Sequence, residues 1–458
     1  MTRAMNSQKW ALFLKVNLGV FVLFILQGCN SSQKQDKEHL VFKYNEHSNI
    51  ATLDPAFARN PQTIWPSNQL FNGLVQLDDQ LNIQPDIAKS WHINDSTSTY
   101  TFTLRDDVYF HKNKVFKKDS TRSVVAQDFV YSFDRLLSPE LASPGSWVFN
   151  AVQRYHAAND STLVIQLNKP FPAFLGLLSM RYCSVVPKEA IAYYGNDFRS
   201  NPVGTGPFRV KFWEENVKLV LRKNPIYFET DTQGNRLPYL EAVAITFLPD
   251  KQSEFLQFAQ GNIDFMTGLD NSYKDEIITT KGTLQPKYKD RVQLITTPYL
   301  NTEYLGFFMG STTKEIASPL IRQAINYGFD REKMVTYLRN GMGIAATHGF
   351  IPKGLAGFDS IQGYSYNPEK ARALINTYKQ ATGATSIEVT IGTNSQYLDL
   401  CEYIQRELEK LGISIKIDVM PPATLRQLKS SGELDIFRAS WVADYPDAEN
   451  YLSLFYSP

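Results

Sequence analysis

Between Ile387 and Val419 the apolar residues change their spacing twice. Ile387-Glu388-Val389-Thr390-Ile391 alternates as one strand face does. Tyr397, Cys401, Ile404, Leu408 and Leu411 then recur at steps of four, three, four and three, one apolar helix face, and Gly412 is placed to end that helix. Ile413, Ile415, Ile417 and Val419 return to period two. Strand, helix and strand joined this tightly form a βαβ crossover, whose strands are expected to lie parallel with a right-handed connection. Ligands of such open sheets collect beyond the carboxyl ends of strands, here at Gly392-Thr393-Asn394-Ser395. A short helix near Thr424 to Leu428 and a strand over Asp435 to Trp441 follow. That strand ends in Val442-Ala443-Asp444-Tyr445, which puts Asp444 in the same crevice region.

With 458 residues the chain is too long for one ordinary core, so at least two domains are expected. Strand-like runs at Tyr100 to Leu104, Leu163 to Leu167, Val217 to Leu221 and Val243 to Phe247 mix with helical ones, without an internal repeat. Helix starts are marked by Ser318-Pro319, Asp330 and Asn367-Pro368, and Gly341 closes one helix. Lys and Arg (47) nearly balance Asp and Glu (46), and a formal charge of +1 gives no field to draw in nucleic acid. The 29 Phe, 24 Tyr and 6 Trp favour stacked or apolar recognition surfaces, although most are expected simply to fill cores.

The N-terminus is laid out as a secretory signal. Arg3, Lys9 and Lys15 precede an uncharged run from Val16 to Leu26, then Leu26-Gln27-Gly28-Cys29. As a helix that run covers about 16 Å at about 1.5 Å per residue, short of the roughly 30 Å hydrocarbon layer. Gly28 before Cys29 reads as a bacterial lipobox, which makes residues 1–28 a signal peptide and Cys29 the acylated first residue of the mature chain. Residues 29–40 then form a polar tether between lipid and domain. Losing three positive charges with residues 1–28 takes the formal charge from +1 to −2, still a weak field. Cys183 and Cys401 form no CxxC or Cys/His cluster; two buried thiols are expected, with pairing left open.

Catalytic signatures are missing. His39, His47, His92, His111, His156 and His348 have no ligand spacing, and neither HExxH, GxSxG nor a Walker A loop occurs. Gly204-Thr205-Gly206 lacks a third glycine and leads into a strand-like run, so it reads as a tight turn. The pair Ser311/Lys314 has none of the companion motifs of a penicillin-recognising enzyme. Asp444 and Asp447 flank Pro446, where capping or turn chemistry competes with a ligand role.

Taken together, Leu53-Asp54-Pro55, Leu70-Phe71-Asn72-Gly73-Leu74, Trp91, Tyr100 to Val108, Val125 to Ser132, Asn201 to Phe208 and Leu221 to Pro225 resemble family 5 of the extracellular solute-binding proteins of ABC importers. Ile321 to Asn326 with Asp330-Arg331, Tyr366 to Ala371 and Trp441 to Asn450 extend the likeness, in order, to the chain's end. This group includes oligopeptide, dipeptide and nickel binders. The resemblance implies an α/β, two-lobed periplasmic-binding-protein fold of type II with an additional domain inserted in the first lobe. By this likeness residues 41–66 and 187–295 build the first lobe, 67–186 the inserted domain, and 296–458 the second lobe.

The same resemblance makes Asp444 the partner of a peptide's α-ammonium and gives Ser440 and Val442 main-chain contacts to peptide backbone; Trp441 and Tyr445 beside them, and Asn394 at its strand's carboxyl end, complete the candidate ligand-binding residues. A solute enclosed by two lobes loses water, so its ammonium needs a charged partner, while β-type pairing is indifferent to side chains. The implied protein is a monomer, not an enzyme, without cofactor or metal. It is exported and lipid-anchored, and it hands peptide to an ABC permease with its ATPase. A sugar or nickel-chelate binder and an exported sensor are the rivals. Relatives usually continue for some tens of residues past the point corresponding to Pro458, so the second lobe is expected to be truncated. Ala448 stands where a proline commonly follows the second aspartate, so the local turn is expected to differ.

Overall fold

The structure, a computed structural model, describes residues 40–456 apart from 95, 118–119 and 271–272. The signal peptide, most of the tether and Cys29 lie outside the described residues. The chain divides into two compact units, the first ending at Gly268 and the second beginning at Leu269.

In the first unit, β1 (Val41–Glu46) begins a mixed sheet. After the short pair β2 (Val75–Leu77) and β3 (Ile83–Pro85) come the four strands of an antiparallel sheet. These are β4 (Ala88–Ile93), β5 (Thr99–Leu104), β6 (Val152–Asn159) and β7 (Thr162–Leu167), in the order β4-β5-β7-β6. The chain then returns through β8 (Phe208–Glu214), β9 (Lys218–Lys223) and β10 (Ala242–Phe247) to complete the mixed sheet, β1-β10-β9-β8, with β1 parallel to β10. All four strand-like runs read in this half are strands. Alternation explains β5 and β7, where every second residue is buried and the others are half-exposed.

Gly204 and Gly206 do more than turn the chain. A Cβ on Gly204 would stand 2.0 Å from the Leu70 carbonyl oxygen, and one on Gly206 2.5 Å from the Leu70 carbonyl carbon. Neither has the positive φ of a glycine turn. The glycines are there because two backbones touch: Gly206 N–H donates to Leu70 O at 2.9 Å, at the end of the helix Pro61–Leu70. Around this contact the buried Asn72 donates to Asp86 at 2.9 Å and accepts from Thr205 at 2.9 Å, while His111 Nε2 lies 3.0 Å from Gly206 O. A satisfied polar node thus ties together two of the stretches that carry the family likeness, Leu70 to Leu74 and Asn201 to Phe208.

The second unit holds β11 (Asn301–Phe307), β12 (Glu388–Thr393), β13 (Ser414–Val419) and β14 (Ile436–Val442), in the order β11-β14-β12-β13. β12 and β13 are parallel in the register Val389↔Ile415, Ile391↔Ile417, and the intervening helix is Leu398–Glu409. Cys401, Ile404 and Leu408 are buried with Val389, Ile391 and Ile415 in one core. Gly412 takes φ 90°, as a helix-ending glycine does. Asp330 and Asn367 cap their helices by accepting from Lys333 and Lys370 N–H, each at 2.9 Å. The helix after Asp330 ends at Leu338, and Gly341 N–H returns to Val335 O at 3.1 Å. Cys183 and Cys401 are both buried and free.

Candidate functional site

β14 is central in its sheet for only part of its length. Its pairing with β12 covers Ile391↔Ile436 and Gly392↔Phe437, whereas pairing with β11 runs on to Asn301↔Val442. Two hydrogen bonds fix the phase: Phe308 N–H donates to Asp435 O and Ala443 N–H to Leu300 O, both at 2.9 Å. Odd-numbered residues of β14 therefore face β11, and the N–H and C=O groups of Ser440 and Val442 point to the opposite edge, beyond the end of β12 pairing. Both residues are exposed.

Past this edge the chain turns through Ala443 to Asn450. Trp441, half-buried, donates from Nε1 to Asn450 Oδ1 at 2.8 Å, and Asp444 N–H reaches the same oxygen at 3.3 Å. Asn450 is itself buried. Asp447 Oδ1 accepts from Glu449 N–H at 2.8 Å, an Asx turn that leads into the short helix Glu449–Leu452, the turn chemistry raised for it from sequence. Ala448 is the N-cap residue, with helical φ and ψ of −62° and −27°. Tyr451, fully buried, anchors that helix by donating its hydroxyl to Leu300 O, and its ring meets Phe350 at 5.9 Å.

Asp444 has no ion-pair partner among the described residues. Its surface is exposed, yet nearby atoms crowd it: desolvation raises its carboxyl above the usual range, and a hydrogen bond with Asn450 opposes the rise. Surface area and desolvation differ because neighbours surround the group without covering it.

Tyr445 is placed differently. Its side chain is buried and its hydroxyl donates to Glu449. Asn394 sits at the carboxyl end of β12, buried, with Oδ1 accepting from Gln396 N–H at 3.0 Å; its amide nitrogen is what remains for another partner. The six site residues singled out from sequence therefore fall into a contiguous run, Ser440-Trp441-Val442 with Asp444 and Tyr445, and Asn394 on the adjacent strand's end.

Sequence reasoning passed over Asn450 and the buried Arg438. Arg438 pairs with Glu303 across the sheet and stacks on the Tyr397 ring, and its Nε has no hydrogen-bond partner among the described residues. Charge on this part of β14 is thereby largely cancelled. No group of three or more His, Cys, Asp or Glu is placed to hold a metal, and no helix is long and apolar enough to cross a membrane, both among the described residues.

Residues 82–458 match the model of the bacterial extracellular solute-binding proteins, family 5 Middle. The chain belongs to this family. Among curated family 5 relatives, it is 24% identical over 411 residues to the glutathione-binding protein GsiB of Salmonella typhi, covering 89% of this chain and 75% of that one. It is 25% identical over 410 residues to the dipeptide-binding protein of Escherichia coli K12, covering 85% and 73%. Among solved structures it is similar to the ABC transporter-associated periplasmic binding protein DppA from Helicobacter pylori in complex with peptide STSA. The TM-score is 0.71 at 26% identity, over 90% of this chain and 80% of that one. Its fold is the α/β type II fold of periplasmic binding proteins, and family and fold are those of substrate-binding proteins.

Proposed function

We propose that this family 5 protein captures a short peptide along the unpaired edge of β14 and delivers it to an ABC permease. The observation that carries the reading is that edge. Ser440 and Val442 present main-chain donors and acceptors past the last β12 pair, and Asp444 follows two residues on without an ion-pair partner among the described residues. An extended peptide can add to such an edge through backbone hydrogen bonds that ignore side-chain identity, while a carboxylate at its end selects a free α-ammonium. Because Glu303 offsets Arg438, Asp444 sets the sign of this stretch. The names of relatives that bind dipeptide, glutathione and a tetrapeptide point the same way.

Other parts of the reading have support of other kinds. The antiparallel sheet β4-β5-β7-β6 lies wholly within 67–186, which supports an inserted domain there. Export and lipid anchoring at Cys29 rest on the sequence of the first 29 residues alone. Mass spectrometry of solute released from protein purified out of its native envelope tests the function: we expect peptides a few residues long, and a sugar or metal chelate in their place would overturn it.

A further inference from the structure

Within the second unit, a cavity of ≈ 260 Å³ is lined by Asp330, Arg331, Glu332, Thr347, Ser365 and Tyr366. It is apart from the β14 edge in sequence and in lining residues. At about 30 Å³ per water it holds roughly eight waters, below the roughly 300–1,000 Å³ of drug-sized pockets. Its wall is built: Gly363 N–H donates to Thr347 O at 2.9 Å, joining the two loops that supply Thr347, Ser365 and Tyr366.

Arg331 is the group to explain. Two of its five N–H donors go to Asn326, Nη1 to the carbonyl oxygen at 2.8 Å and Nη2 to Oδ1 at 3.1 Å, and the guanidinium stacks 4.3 Å from the Phe329 ring centroid. Both are neutral partners. Burial alone pushes its pKa down to about 10, and no charged group among the described residues offsets that loss. The adjacent Asp330, which lines the same cavity, uses Oδ1 as a helix cap, accepting from Lys333 N–H at 2.9 Å. A desolvated fork of donors without a counter-ion, on the wall of a small hydroxyl-bearing cavity, suits a planar anion.

We propose that this cavity is a second solute site, which takes a small amino-acid zwitterion. The carboxylate would meet the Arg331 fork beside the hydroxyls of Thr347, Ser365 and Tyr366, and the ammonium would face Asp330 and Glu332. The two acidic residues discriminate. They repel the second charge of phosphate, and they favour a zwitterion over a plain carboxylate. The site stands on residues of one unit and does not depend on the role given to Asp444.

Equilibrium dialysis of the purified full chain against labelled glycine, with acetate and inorganic phosphate as competitors, tests this. Glycine should bind, with acetate and phosphate the weaker competitors. Arg331→Gln should weaken it by about tenfold or more, the scale of a charge-assisted pair. Since Arg331 also ties Asn326, Ser365→Leu provides the control for folding: Ser365 is exposed, and a leucine there takes up space in the cavity while leaving both Arg331–Asn326 partners in place. That variant should lose glycine while keeping the wild-type unfolding midpoint. Undetectable glycine binding, binding that survives Ser365→Leu, or phosphate competing better than acetate would overturn the proposal.

Discussion

The indole of Trp441 is tied to Asn450, nine residues on, by a 2.8 Å hydrogen bond from Nε1 to Oδ1. Asp444 N–H shares that oxygen at 3.3 Å, so one buried amide closes the loop that carries the proposed anionic anchor. Asn450→Ala leaves both donors without this acceptor. The expected loss is about 1–3 kcal/mol of stability. Urea unfolding followed by Trp fluorescence checks it, and an unchanged midpoint contradicts the assignment.

Ser440→Pro separates pairing within the sheet from pairing with a ligand. The Ser440 N–H points away from β11, so proline removes no bond to that strand, and proline is tolerated where the N–H side of a strand is free. The expected outcome is a stability change below about 1 kcal/mol with peptide affinity reduced by about 1–2 kcal/mol, the worth of one backbone hydrogen bond and its desolvated partner. Calorimetry beside thermal melts reads both quantities; peptide affinity equal to wild type would count against edge addition.

Gly204→Ala and Gly206→Ala push a methyl group into the Leu70 main chain. Because the obstacle is backbone and not a side-chain tip, relief requires the end of the helix Pro61–Leu70 to move, at a cost of at least roughly 1–3 kcal/mol. Chemical denaturation checks this, and the loss should appear without any change in peptide preference.

Glu46, the last residue of β1, and Glu254 are both buried, and both carboxyls are raised to about 7, in each case chiefly by desolvation; for Glu46 the neighbouring Glu254 charge adds to the rise. His47 Nε2 lies 3.0 Å from Glu254 Oε2, and burial, with Lys251 adding, lowers that imidazole. A raised carboxyl binds more protons folded than unfolded. Its stabilisation is full below the unfolded value of 4.5 and is lost as pH rises through about 7, while His47 acts in the opposite sense. The difference in unfolding free energy between wild type and Glu46→Gln should therefore shift against wild type as pH rises from about 4.5 to about 7. A difference that is flat across that window contradicts the assignment.

What the sequence revealed was local. Spacing alone located β12, the helix Leu398–Glu409, β13 and β14, because one apolar face per element is written within a dozen residues. Asp330 and Asn367 were legible as caps for the same reason. Gly204 and Gly206 were misread as turn formers because their reason, the Leu70 backbone, lies more than a hundred residues away in the chain. Arg438 and Asn450 escaped notice likewise. Nothing near Arg438 announces Glu303 from β11, and Asn450 follows its strand like any other polar residue until the loop closes on Trp441. Trp441 to Asn450 was recognised as a stretch, but which of its side chains would be spent on the protein itself, as those of Tyr445 and Asp447 are, depended on the three-dimensional turn.

The most direct measurement is calorimetry of the wild-type protein and Asp444→Ala with one peptide in two forms, free and N-acetylated at its amino end. The account predicts that wild type prefers the free form by about 2–5 kcal/mol, the range for a charge pair closed off from water, and that Asp444→Ala abolishes this preference. Equal affinity of wild type for both forms would contradict it.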